Sequence, residues 1–295
     1  MNLHPTLTQF GKISLVSIAQ IMLQGSVLTG GLFLLAVLLE SPIMAVMMMV
    51  AVVSANITAL ALKFNNVHLN QGLYGFSAAL VGLFVAVFFG ITITSLTLTV
   101  IGAILAMLIQ AVGLYYRLPL YTLPFIVVSW GLYVLGAWLN VPITTLSTPT
   151  WHLAILADDN GLIKSTGQVM FLGSVLAGFL CLIGLGLNDI RQNKGKFAVF
   201  ALMASGVCWL LASLIGTDKT QIALGLWGYN GVLIVIALAD KKPWLWLIGI
   251  IIGIGIQWLF NVVLDVTIVG GFLTLPFVLA VWVIHLGEHF CHPNK

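Results

Sequence analysis

Charge is what this sequence has least of. Only 6% of its 295 residues are Asp, Glu, Lys or Arg, against about 25% in an ordinary soluble domain. Eleven basic and eight acidic side chains are too few to cover the surface of a soluble globule. A disordered chain is excluded as well, because disorder needs a polar, highly charged sequence. The net charge of +3 forms no basic stripe, so no nucleic-acid partner is expected. Cysteine is scarce: Cys181, Cys208 and Cys291 make no disulfide framework, and the first two fall inside apolar runs as packing residues. No A-x-A site precedes the first apolar run, so no cleavable signal peptide is expected. What is abundant is apolar surface, with 61% hydrophobic residues and a mean hydropathy of +1.14. Lipid is the solvent that suits such a chain.

A helix needs about 20 apolar residues to cross a bilayer, so the gaps between charges measure spans. The charge-free runs are 13–39, 41–62, 64–116, 118–157, 165–188, 197–217, 220–239, 243–264 and 266–287. Run 64–116 holds two spans, near 72–90 and 96–116. Run 118–157 holds one, near 121–139, and then a Pro-, Thr- and Ser-rich loop from Asn140 to Pro149. The runs are too long and too uniform for barrel strands. The expected fold is therefore an all-α polytopic membrane protein with ten transmembrane helices, five before residue 150 and five after it. Counting loops from the N-terminus as zero, even loops carry nine Lys and Arg residues, whereas odd loops carry only Lys164 and Lys219. Lys and Arg accumulate on the cytoplasmic side, so both termini are expected there.

The chain also repeats itself. Gln20–Gly30 reads QIMLQGSVLTG and Gln168–Gly178 reads QVMFLGSVLAG. A Gly-Leu-aromatic-Gly-aromatic pattern occurs at Gly72–Phe76 and Gly225–Tyr229, and Thr-Leu-Pro-Phe at Thr122–Phe125 and Thr274–Phe277. The offsets are 148, 153 and 152 residues, in the same order in both halves. Three collinear matches at nearly one spacing indicate duplication. The repeats are expected over residues 1–148 and 149–295. Five spans is an odd number, so the second copy enters from the opposite face as an inverted repeat, with the substrate path at the interface of the two.

Corresponding polar residues then meet in pairs along that path. Gln20 and Gln168 stand in runs broken by glycine, which fits a short or re-entrant helix followed by a spanning one. Such breaks expose backbone groups that a membrane tolerates only beside a cavity. A glutamine amide offers two donors and an acceptor without charge, which suits a neutral polar solute, although a hydrogen bond between packed helices uses the same residue. Thr122 and Thr274, each two residues before a proline, read either as helix caps or as a facing pair near the midplane. Phe76 and Tyr229, with Leu80 and Leu233 one turn later, read as ordinary packing or as an apolar wall for a flat solute. Glu40, Asp189, Asp240, Asp265 and Glu288 fall at span ends. Ion coupling and proton relays ordinarily need charge inside the membrane, so passive conduction is expected. His285 and His289, four apart, do not add up to a metal site on ligand count. No catalytic residues and no cofactor are expected.

The segments QGLYGFSAALVGLFVAVF (71–88), LPLYTLPF (118–125), LGLWGYNGVL (224–233) and FLTLPF (272–277) together resemble the urea transporter family, over nearly the whole chain. The resemblance implies a channel-like facilitator of urea in a bacterial inner membrane. It also implies a homotrimer with one pore per protomer, and five spans plus one pore half-helix in each repeat. By motif match it puts Gln20 and Gln168 at the pore half-helices and Thr122 and Thr274 at the centre. Leu23, Phe171, Phe76, Tyr229, Leu80 and Leu233 fall along a narrow slot. Departures are Gly25-Ser26-Val27 and Gly173-Ser174-Val175 in place of the frequent Asn-Asn-Pro, Leu23 in place of a frequent Phe, and Ser77 where Asn is usual. The alternatives are an ion-coupled transporter, or a channel for short amides, ammonia or water.

Overall fold

The computed structural model of the chain describes residues 5–143, 160–190, 196–263 and 271–291. Among the described residues there is no strand. The helices are α1 (Leu7–Ala19), closed by a 3-10 turn (Gln20–Met22), then α2 (Val27–Glu40), α3 (Pro42–Ala61), α4 (Asn66–Asn70), α5 (Phe76–Phe89), α6 (Ile93–Tyr115) and α7 (Leu123–Trp138). The second half follows with α8 (Gly161–Gln168), α9 (Val175–Ile190), α10 (Lys196–Leu214), α11 (Lys219–Ala223), α12 (Tyr229–Ala237), α13 (Pro243–Val263) and α14 (Leu275–Cys291). Helices satisfy their own backbone groups, which is what a lipid solvent demands. α3, α6, α10 and α13 are each long and apolar enough to cross a bilayer. α1 with its 3-10 turn, and α2 after it, form a broken pair bent by 77°. The expected boundary at residues 148–149 lies outside the described residues, as do His152, Arg191, Lys194, Asp265, His292 and Lys295.

Local sequence explains where the helices begin. The Ser41 hydroxyl accepts from the Met44 N–H and Pro42 fills the first turn of α3, where its missing N–H costs nothing. Thr92 and Ser95 form a reciprocal capping box at α6, a device that satisfies two otherwise orphan donors. The two short helices are capped alike, α4 by the Asn65 carboxamide and α11 by the Asp218 carboxylate. Each such cap contributes about 1 kcal/mol.

Two expected spans differ from what forms. The span near 72–90 opens with a turn that follows α4 and is helical only as α5, and the run 220–239 becomes α11, a turn and α12. The turns are the Gly-Leu-aromatic-Gly segments. Gly72 and Gly225 have φ of +73° and +78°, a region open to glycine and strained for other residues. Runs 13–39 and 165–188, expected to hold a short helix followed by a longer one, break at Leu23 and Phe171, which also have positive φ.

α2 lies along α9 in antiparallel fashion. The Thr29 hydroxyl near the start of α2 donates to the Gly184 C=O at 2.9 Å, and Glu40 at its end reaches Gly173 and Ser174 at the start of α9. α5 packs against α3, α6 and α7, and α12 against α10, α13 and α14. Both are buried over most of their residues, as helices apolar all round must be. These two central helices and the α2–α9 pair enclose one apolar cluster that joins both halves of the chain.

Candidate functional site

Two loop-to-helix junctions meet at the centre. Thr122 immediately precedes α7 and Thr274 immediately precedes α14. Thr122 occupies a cap position, yet its side chain caps nothing. Instead the two hydroxyls hydrogen-bond each other, 2.7 Å apart, with both residues buried. Each junction is held by a tryptophan of the other's helix. Trp130 on α7 donates its indole N–H to the Gly271 C=O at 2.9 Å, and Trp282 on α14 donates to the Pro119 C=O at 2.7 Å. Each tryptophan follows its threonine by eight residues.

A cavity of about 170 Å³ adjoins this point, lined by Phe125, Gln168, Phe171, Tyr229, Leu273 and Thr274 among others. The Gln168 amide donates to the Leu224 C=O at 3.0 Å, which leaves its oxygen available as an acceptor. The Tyr229 hydroxyl donates to the Leu273 C=O at 2.7 Å. Phe171 meets Phe84 and Phe125 edge to face, with centroids 6.4 and 6.2 Å away. Edge-to-face contacts suit the ring quadrupoles and fix the plane of Phe171. Gln168, Phe171, Tyr229 and Thr274, expected as site residues, thus surround one space.

The others fall elsewhere. Gln20 directly follows α1, as Gln168 closes α8, but does not line this cavity, and neither does Leu23. Phe76, Leu80 and Leu233 are buried in the shared apolar cluster, with Leu23, Phe171 and Tyr229 packed against it. Thr122 touches the cavity wall through Thr274. His285, the first of the histidine pair, bonds the Tyr121 hydroxyl through its ring.

Sequence reading missed three groups. The Asn230 amide donates to Gln257 at 3.2 Å and its oxygen accepts from the Phe277 N–H at 3.3 Å, while Gln257 donates to the Leu226 C=O at 2.9 Å. That network ties the turn before α12 to the start of α14. Ser77, the matching residue of the first half, is buried without a hydroxyl partner. Glu40, expected at a span end, is buried and accepts from the Gly173 N–H and the Ser174 hydroxyl. The tryptophan pair carried a usable signal, its identical spacing from the two Thr-Leu-Pro-Phe boxes; Gln257 and Glu40 carried none.

As chemistry, the arrangement offers hydroxyls, an amide oxygen and aromatic faces, and no charged side chain among the cavity-lining residues. It can exchange hydrogen bonds with a small neutral molecule and gives an ion no counter-charge. Comparison with known proteins agrees with this chemistry. A family model described as urea transporter matches residues 12–289. Urea transporter 1 of Rattus norvegicus is 28% identical over 256 residues, and that of Mus musculus 27% over 254; each alignment covers 79% of this chain and 64% of the relative. Urea transporter 1 of Capra hircus is 26% identical over 254 residues with the same coverage. The chain thus spans just under two thirds of the length of these relatives.

Proposed function

We propose that this chain, which belongs to the urea transporter family, conducts urea passively across a membrane through a narrow path between two inverted repeats. The observation that carries this reading is the Thr122–Thr274 hydroxyl pair, 2.7 Å apart beside a cavity edged by Gln168, Phe171 and Tyr229. Urea is flat and uncharged, with one acceptor oxygen and four N–H donors. Leaving water costs it several hydrogen bonds, which the path must replace. The Gln20 and Gln168 amide oxygens and the backbone carbonyls at the helix breaks take over the acceptor contacts. Leu23, Phe171, Phe76, Tyr229, Leu80 and Leu233 wall the slot so that the molecule passes edge-on. The threonine hydroxyls serve it at the midpoint. A row of weak, similar sites lets solute leave as readily as it enters, and an apolar slot without counter-charge rejects cations.

The same reading holds ten spans in two five-helix repeats, 1–148 and 149–295, each with one pore half-helix ending at Gln20 or Gln168. Support comes from backbone features that recur in order: positive φ at Leu23 and Phe171, Lys63 and Gly216, Gly72 and Gly225, and Tyr121 and Leu273. Both termini are assigned to the cytoplasm on the Lys and Arg distribution. A homotrimer with one pore per protomer, in a bacterial inner membrane, follows from family resemblance.

The deciding experiment is stopped-flow light scattering of proteoliposomes under an inward urea gradient. Gln20→Ala combined with Gln168→Ala is expected to cut urea flux while the protein stays folded. Unchanged flux in that variant would remove the glutamines from the path. Flux that stops without a sodium or proton gradient would replace the channel by an ion-coupled carrier.

A further inference from the structure

The segment that presents Thr122 is held by α14 at two points three residues apart. Trp282 holds the Pro119 carbonyl, and His285 Nε2 lies 2.9 Å from the Tyr121 hydroxyl. Tyr121 directly precedes Thr122 and has φ of +50°, a conformation that costs a non-glycine residue about 1–2 kcal/mol. Such a conformation persists only when the surroundings impose it. Here the Tyr121 ring lies parallel to the His285 ring, with centroids 6.4 Å apart, and edge-on to Phe277 at 5.4 Å. On its other side His285 Nδ1 faces Glu288 at 3.8 Å, and Glu288 pairs with Lys241 Nζ at 2.9 Å. The Asp240 carboxylate lies 4.0 Å from the same amine. The hydrogen bond to Glu288 raises the pKa of Lys241, so the lysine stays cationic and anchored.

We infer that Tyr121 and His285 are positioning residues for permeation: the Tyr121–His285 hydrogen bond, backed by Glu288 and Lys241, holds Thr122 against Thr274 at the midpoint of the proposed path. This rests on the reading proposed above. The two threonines are not held alike. Leu273, before Thr274, is held through its backbone carbonyl by Tyr229. Tyr121, before Thr122, is held through its side chain by a chain of groups that runs out to the α12–α13 connection. Thr122 is therefore the threonine whose position depends on side-chain bonds remote from the path. The relay fixes geometry and touches no solute.

The test is a double-mutant cycle in proteoliposomes. Tyr121→Phe, His285→Leu, the double variant and His285→Gln are compared with wild type for urea and formamide permeability per folded protein, together with thermal unfolding in detergent. Each single variant is expected to lower urea permeability about three- to tenfold, the range of one neutral hydrogen bond. The double variant should be no worse than the poorer single, because both remove one interaction. Glutamine, which can still bond the phenol, should recover most of the loss, and the smaller formamide should be less affected. Additive losses, undiminished urea permeability in the single variants, or a glutamine variant as poor as the leucine one would overturn the proposal. So would a lowered melting temperature with unchanged permeability, which marks a structural brace. Wild-type protein is the control: absence of urea flux there refutes the transport reading itself, whereas wild-type flux with indifferent variants refutes only the positioning role.

Discussion

The hydroxyl oxygens of Thr122 and Thr274 lie 2.7 Å apart, on residues 152 apart in the chain and both buried. The bond has a stability side and a transport side, and valine separates them. Valine matches threonine in shape and lacks the hydroxyl. A single Thr122→Val or Thr274→Val leaves the remaining hydroxyl buried without a partner, at a cost of about 1–3 kcal/mol. The double valine variant removes both polar groups and should regain much of that stability. Urea permeability should follow the opposite order, lowest in the double variant, because the path then has no hydroxyl at its midpoint. Detergent melting curves and stopped-flow flux on the same preparations check both orders.

Glu40 offers a second prediction. Its carboxylate accepts from the Gly173 N–H at 2.9 Å and from the Ser174 hydroxyl, while the Ser174 oxygen accepts from the Ala177 N–H at 3.2 Å. The acid thus caps α9 through the serine, at the positive end of that helix dipole, where a negative charge is favoured. Hydrogen bonds to a charged group contribute about 1.5–3 kcal/mol each. Glu40→Ala should therefore destabilise the protein more than Glu40→Gln, which keeps one acceptor. Ser174→Ala, which loses the cap but leaves the Gly173 bond, should fall between wild type and Glu40→Ala. Equal melting temperatures for all four proteins would contradict the arrangement.

The apolar helices were legible because charge marks the ends of hydrophobic runs, and lipid leaves the chain little choice but helix. The breaks inside those runs were partly legible. Glycines in 20–31 and 167–178 suggest a short helix followed by a longer one, whereas the spans expected near 72–90 and over 220–239 include the turns at Gly72 and Gly225. The reason is tertiary: those glycines are needed where one backbone presses on another, and no local pattern encodes the neighbour. In the site, the paired motifs drew attention to Gln168, Phe171, Tyr229 and Thr274, which do gather around one cavity. Glu40 and Gln257 escaped because a lone polar residue in an apolar run says nothing about which distant group it will meet.

The tryptophans supply a third prediction. Trp130 and Trp282 each donate to a carbonyl in the loop before the other's helix, so the two junctions are locked reciprocally. Replacing either by phenylalanine keeps most of the aromatic packing and removes one donor, from a part-buried bond at Trp130 and an exposed one at Trp282. Each loss should cost about 0.5–1.5 kcal/mol, the smaller cost falling on the exposed Trp282 bond. If the lock is shared, the effects will be coupled: the double variant should lose less than twice the single loss. Independent, fully additive changes in melting temperature would mean that the two junctions are braced separately.

The last prediction concerns the turns that the charge gaps concealed. A methyl group added at Gly72 would lie 2.6 Å from the Ser17 backbone nitrogen, and one added at Gly225 would lie 2.5 Å from that of Ser165. Both glycines also have positive φ, which alone costs an alanine about 1–2 kcal/mol. The overlap is with backbone, so no rotamer change relieves it, and α1 or α8 must move. Those helices end at Gln20 and Gln168, and Ser17 and Ser165 are themselves anchored to the Ile13 and Gly161 carbonyls. Gly72→Ala and Gly225→Ala should therefore lower both melting temperature and urea flux, the second through displacement of the neighbouring glutamine. Gly131→Ala is the control, since a methyl there meets nothing within 4 Å and alanine favours the helix by about 1 kcal/mol. A Gly225→Ala protein as stable as the Gly131→Ala control would show that α8 does not rest on that turn.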